Sequence, residues 1–133
     1  MPKILIIAAL RLLDPSGRIL LVRKRQTTMF MQPGGKLEPG ESPEAAVLRE
    51  VHEELDLRLA PEHVEFLGRW DGPAANEEDT EIVAYLFGAT TNQAPRIQAE
   101  IEEMMWLDPE DAIRRNDIAP LLREYVLPPL LKS

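Results

Sequence analysis

Five ionisable side chains lie close together in the sequence: Glu41, Arg49, Glu50, Glu53 and Glu54. Placed on a helix at about 100° per residue, Glu50, Glu53 and Glu54 share one side within an arc of roughly 100°. Ala46 falls on that side too, small enough to let another segment approach, and Arg49 borders it. Like charges three and four apart on a helix cost roughly 0.2–0.5 kcal/mol per pair. The negative end of the helix dipole adds to the penalty in the last turn. Two readings account for such a face. It is either solvated and tolerates the repulsion, or its glutamate oxygens gather around a hard cation such as Mg²⁺.

The elements that must position these residues are marked in the sequence. Ser42 suits an N-cap, Pro43 the first helical position and Glu44 the first turn. No Gly or Pro interrupts Ala45 to Leu55, and Leu48, Val51 and Leu55 form a stripe fit for a core. Before the helix, Pro33-Gly34-Gly35 allows tight backbone conformations. It is not a Walker loop, since no G-K-[ST] follows at the required spacing. Lys36, directly after the glycines, could meet a carboxylate or a phosphate.

The spacing from Gly35 to Leu57 resembles the Nudix box, G-x5-E-x7-R-E-U-x-E-E-x-G-U, where U is a bulky aliphatic. Eight of the nine specified positions match: Gly35, Glu41, Arg49, Glu50, Val51, Glu53, Glu54 and Leu57. Asp56 stands where the family has glycine. The resemblance implies hydrolysis of a diphosphate linked to a further group X, with a divalent metal, Mg²⁺ or alternatively Mn²⁺. It implies Glu50, Glu53 and Glu54 as metal ligands, with Arg49 orienting them and Glu41 bracing the loop. It leaves the general base open between Glu53 and a later acid, Glu100 or Glu103. A glycine at position 56 would end the helix in the left-handed conformation, which aspartate tolerates less well. The substitution therefore reads as a modest loss of stability.

Composition bounds the rest. A chain of 133 residues reads as one domain spanning residues 1–133, large enough for a real core. The net charge of −8 argues against broad binding to nucleic-acid polymers or anionic membranes, which favours a basic field. The absence of cysteine excludes disulfides, thiolate metal sites and a cysteine nucleophile, and is compatible with a cytoplasmic protein. His52 and His63 are too few to make a zinc site the simpler reading. No apolar run reaches the length of a membrane span, and Ile4 to Leu10 reads as a buried strand.

Along the chain, Lys3 to Leu13 and Arg18 to Arg25 read as a hairpin about the turn Asp14-Pro15-Ser16-Gly17. Arg23 and Arg25 share one face at its basic end, with Lys24 opposite. They are either a solvated strand end or, with Lys36 and the Gly35 backbone, candidate phosphate-binding groups. Met29, Phe30 and Met31 punctuate the loop that follows. Strands are expected at Glu65–Trp70, Thr80–Ala89 and Glu102–Leu107, with a polar loop at Gly72–Asp79. Asp108-Pro109 opens one helix, and a second runs from about Ala119 to Leu127, before Pro128-Pro129. Pattern alone gives an α+β or α/β class. The Nudix resemblance implies an α/β/α sandwich with a mixed β-sheet, and leaves a homodimer open.

Relatives that cleave ADP-ribose tend to carry a proline about fifteen residues past the box glycine. That place is Asp71 here, and Pro73 is two residues late. No coenzyme A signature precedes the box. The expectation is therefore a nucleoside triphosphate, MutT-type, giving a monophosphate and pyrophosphate. Alternatives are an ADP-ribose or nucleotide-sugar pyrophosphatase, or a regulatory domain that binds nucleotide without cleaving it.

Overall fold

Strand β1 (Lys3–Leu13) is the axis of the molecule. The computed structural model describes residues 2–132. β1 is followed by β2 (Ile19–Lys24), β3 (Gly34–Lys36), helix α1 (Pro43–Leu55), β4 (Glu65–Pro73), β5 (Thr80–Thr90) and β6 (Ile101–Leu107). The sheet order is β4-β5-β1-β2-β6, with β3 also paired to β1. β1 runs parallel to β5, and the other strand pairs are antiparallel, so the sheet is mixed.

The alternation of side chains across β1 and β2 builds two cores. Ala8, Leu10, Leu12, Leu20 and Val22 face one side, where Ala46, Val47, Val51 and Leu55 of α1 cover them. Ala9, Ile19 and Leu21 face the other, covered by Ala112, Ile118, Leu121, Leu122, Val126 and Leu127. The result is the expected α/β/α layering. The C-terminal layer consists of a single turn, α2 (Pro109–Ala112), a wide helical segment at Leu122–Val126 and a tight turn at Pro128–Leu130. No helix among the described residues is long and apolar enough to cross a membrane.

The hairpin expected between β1 and β2 is corrected by the structure. The turn forms, with Asp14 Oδ1 accepting from the Ser16 and Arg18 N–H groups. Yet the two strands pair only at Leu13 with Ile19. Beyond that point they part, and residues 31–36 wedge between them. Met31 exchanges backbone bonds with Val22, and Leu10 donates its N–H to the Pro33 carbonyl. Gly34 tolerates this close approach because a Cβ there would strike the Ala8 carbonyl, and its φ of +146° disfavours any side chain.

α1 begins and ends as its sequence dictates. The Ser42 hydroxyl accepts from the Ala45 N–H at 3.1 Å, and Pro43 occupies the first turn. Asp56 closes the helix at φ 55°, ψ 36°, left-handed, donating its N–H to the His52 carbonyl. Asp56→Gly should therefore stabilise the protein by up to about 1 kcal/mol by relieving the Cβ. A lowered midpoint on denaturant titration would show instead that the aspartate makes contacts of its own.

Candidate active site

The helix face carrying the acids is open to solvent only in part, at Glu53. β3 lies along it, which is why Ala46 is fully buried and Glu54 is only 5% exposed. The apolar stripe is accordingly wider than Leu48, Val51 and Leu55: Val47 is buried as well, and Leu48 only partly so. A Cβ on Gly35 would collide with the Glu50 carboxyl, so a glycine here lets the strand lie against the acid.

Arg49 ties the acids together. Its Nε and Nη2 donate to the two oxygens of Glu41 at 2.8 and 2.9 Å. Its Nη1 donates to Glu50 Oε1 at 2.7 Å, and its Nη2 to the Lys36 carbonyl at 3.1 Å. A fork of this kind is a strong and directional contact. It holds the Glu41 carboxyl down to about 2, and the same bonds raise the already high pKa of Arg49 further. One guanidinium thus braces the loop before the helix, the backbone of β3 and the first acid of the cluster.

The three remaining glutamates differ in environment. Glu50 is half-buried, and desolvation raises its pKa despite the Arg49 contact. Glu53 is 51% exposed and touches Arg49 at only 3.4 Å. Glu54 is the extreme case: burial pushes its carboxyl up to about 8, while the Gly34 N–H and the Lys24 charge pull the other way.

A stability consequence follows for the metal-free protein. Glu54 keeps its proton to about 8 when folded and to its ordinary value near 4.5 when unfolded. The folded state binds more protons between those limits, so its stability falls as pH rises from about 4.5 to about 8. This slope is opposite in sign to that of a salt-bridged carboxylate. Denaturant midpoints in chelator should show this fall in the wild type and a flatter profile in Glu54→Gln. Parallel profiles in the two proteins would remove Glu54 as the cause.

The donor set fits a hard divalent cation. All its groups are carboxylate oxygens, and the buried Glu54 carboxyl accepts one hydrogen bond among the described residues, leaving lone pairs unused. As they stand, no three acidic or histidine side chains among the described residues are gathered closely enough to hold an ion. Glu50 leans to Arg49 and Glu54 to Gly34. Glu53 is the acid with least to lose by turning.

The segment after β5 brings one more acid to this end. The Arg96 and Gln98 N–H groups bond the carbonyls of Leu55 and Glu54, and the Gln98 side chain bonds that of His52. The two backbone bonds satisfy carbonyls that the helix end leaves without partners, and the side-chain bond is a second one to the His52 carbonyl, which already accepts from Asp56. The strap places Glu100 close enough to raise the pKa of Glu54. Ala99 beside it is left-handed at φ 55°, a strained conformation for a residue with a side chain. Glu103, the other acid, is taken up by Arg23 at 2.7 Å.

The basic strand end divides by the two-residue period. Arg23 pairs with Glu103, donates to the Thr27 carbonyl and lies 6.0 Å over the Phe30 ring. Arg25 stands 3.7 Å from Glu102. Lys24, on the opposite face, lines a cleft beside the acids together with Gly34, Gly35 and Lys36. That cleft continues over an apolar floor of Leu5, Ile7 and Ile82, walled by Ala74 and Leu121. The alternation at positions 23–25 was readable from the sequence. What was not readable was which face meets the acids, because that depends on the wedge between β1 and β2.

The family model described as NUDIX domain matches residues 2–127. A Bacillus subtilis protein provisionally named an 8-oxo-dGTP diphosphatase is 32% identical over 98 residues, 73% of this chain and 62% of that protein. A MutT-like protein of Streptomyces ambofaciens is 31% identical over 100 residues, 74% of this chain and 60% of that protein. The chain thus spans about three fifths of the length of these relatives. Among solved structures, the crystal structure of a MutT protein from Methanosarcina mazei Go1 superposes with a TM-score of 0.79 at 21% identity. It covers 92% of this chain and 90% of that one, a likeness of fold.

Proposed function

This chain belongs to the Nudix family, and from that premise we propose that it hydrolyses a phosphoanhydride in a nucleoside diphosphate linked to X, most specifically a nucleoside triphosphate. Water would add across the anhydride, giving a nucleoside monophosphate and pyrophosphate. The observation that supports this reading is the juxtaposition of an Arg49-braced acid cluster with a cleft that is basic at one end and apolar at the other.

Each residue has a part in this reading. Glu50, Glu53 and Glu54 would hold Mg²⁺ or Mn²⁺. A divalent ion bound there neutralises phosphate charge and lowers the pKa of water. Arg49 keeps Glu50 in place and joins it to the loop through Glu41. Lys24 and Lys36 line the cleft where phosphates would lie, and Gly35 lets the backbone come close. Arg23 and Arg25 contribute from a distance, since their charges are met by Glu103 and Glu102. For the base, Glu53 and Glu100 stay in contention: one is exposed on the acidic face, and the other is carried to it by the strap. Glu103 is engaged by Arg23.

The test is a product screen with Mg²⁺ and with Mn²⁺ over nucleoside triphosphates, ADP-ribose, nucleotide sugars and dinucleotides. Pyrophosphate release from a triphosphate is the expected result. Turnover confined to ADP-ribose or a nucleotide sugar would move the substrate. Binding without turnover of any compound would make the domain a nucleotide sensor.

A further inference from the structure

Gln32 lines the same cleft, yet its side-chain oxygen has no hydrogen-bond partner among the described residues. The residue is 4% exposed, and its Oε1 is buried without a hydrogen-bond partner. A buried amide normally finds partners, and one left unpaired destabilises the fold. The other uncharged polar side chains along the cleft are engaged. Thr27 Oγ1 donates to the Lys24 carbonyl at 2.7 Å, and Asn76 Oδ1 accepts from the Met29 N–H at 3.2 Å. Gln32 sits in the wedge two residues before Gly34, whose N–H meets Glu54. It shares the cleft with Leu5, Ile7 and Ile82 of the apolar floor.

We propose that Gln32 is the specificity-determining residue of the cleft, its amide pairing with the polar edge of a nucleobase seated on the apolar floor. The proposal rests on the reading of the chain as a nucleotide hydrolase and names how it chooses among nucleotides. A primary amide presents a donor and an acceptor side by side, matching a base edge that carries an N–H next to a ring nitrogen or carbonyl. No hydrogen bond among the described residues holds the Gln32 oxygen, so the amide can turn about its last bond to meet such an edge. A site built to hydrogen-bond its ligand rejects one that leaves the buried group unpaired far better than an apolar pocket does.

The test uses Gln32→Met, close in volume and without the amide. Steady-state rates for the four nucleoside triphosphates are measured with wild type and variant, alongside calorimetric binding of the four monophosphates. The wild type should prefer one base. The variant should lose about 10- to 100-fold in kcat/KM for that nucleotide, mainly through KM, and change the least-favoured one little. Its melting temperature should hold or rise, because an unpaired buried group has been removed. Gln32→Asn, which withdraws the amide by one methylene, should flatten the preference as well and serves if the methionine variant fails to fold. Equal losses on all four nucleotides, an unchanged preference, or a wild type with no base preference would each overturn the role of Gln32. A base preference in monophosphate binding that Gln32→Met abolishes, in a protein that cleaves nothing, would support Gln32 while overturning the hydrolase reading alone.

Discussion

Glu54→Gln should leave the fold intact and reduce hydrolysis by at least about a hundredfold, the scale of losing one group central to charge stabilisation. The fold should survive because glutamine resembles what the metal-free protein already holds. Burial keeps the Glu54 carboxyl protonated to about 8, so near neutral pH an amide replaces a neutral acid. The amide oxygen can still accept from the Gly34 N–H, the bond that the Glu54 carboxyl makes. What disappears is the ability to ionise and bind a cation. Circular dichroism and a melt of the purified variant establish the first part, and pyrophosphate release the second. Near wild-type turnover would take Glu54 out of the reaction.

Mg²⁺ should stabilise the wild type by about 2.7 kcal/mol when free metal is a hundred times Kd, if it binds the folded state alone. Glu53→Gln separates the two readings of the acidic face. Without metal the variant should match or slightly exceed the wild type. It loses an exposed contact to Arg49 at 3.4 Å, a pair worth at most about 1 kcal/mol, and it sheds repulsion from its neighbours. In saturating Mg²⁺ the order should reverse, because the variant has one ligand fewer. Melts in chelator and in Mg²⁺ at matched ionic strength check this, since general screening is then equal. Equal shifts in both proteins would leave Glu53 a solvated side chain.

Local signals are legible in the sequence. Ser42, Pro43 and Asp56 bound α1 through backbone chemistry that depends on the adjacent residues alone, and all three occupy the expected positions. The small size of Ala46 predicted a close neighbour, and β3 is that neighbour. Features that a distant segment decides are not legible in the sequence. The hairpin inference at Asp14–Gly17 found the turn but could not see residues 31–36 separating β1 from β2. Arg23 and Arg25 drew attention by their charge, yet Glu103 and Glu102 on β6, about eighty residues away, answer them. Gln32 gave no sign at all, because an amide's lack of partners is a property of the folded surroundings. The strap across the end of α1 was hidden for the same reason: its bonds are made by backbone groups, which every sequence carries.

The parallel pairing at the centre of the sheet also governs how the chain behaves while it is being made. Every residue of β1 pairs with one 77 positions later on β5, from Lys3 with Thr80 to Leu13 with Thr90. At a synthesis rate of about 5–20 residues per second, the earliest strand waits roughly 4–15 s for its partner. During that interval an apolar segment, whose residues Ala8 to Leu10 are destined for burial on both faces, has only short local contacts to β2 and β3 on offer. Pairing at such separation is slow and leaves strand edges available to other chains. A nascent chain arrested before Thr80 should therefore be sensitive to protease and bind holding chaperones through residues 3–13, and both properties should vanish once Thr90 has cleared the ribosome.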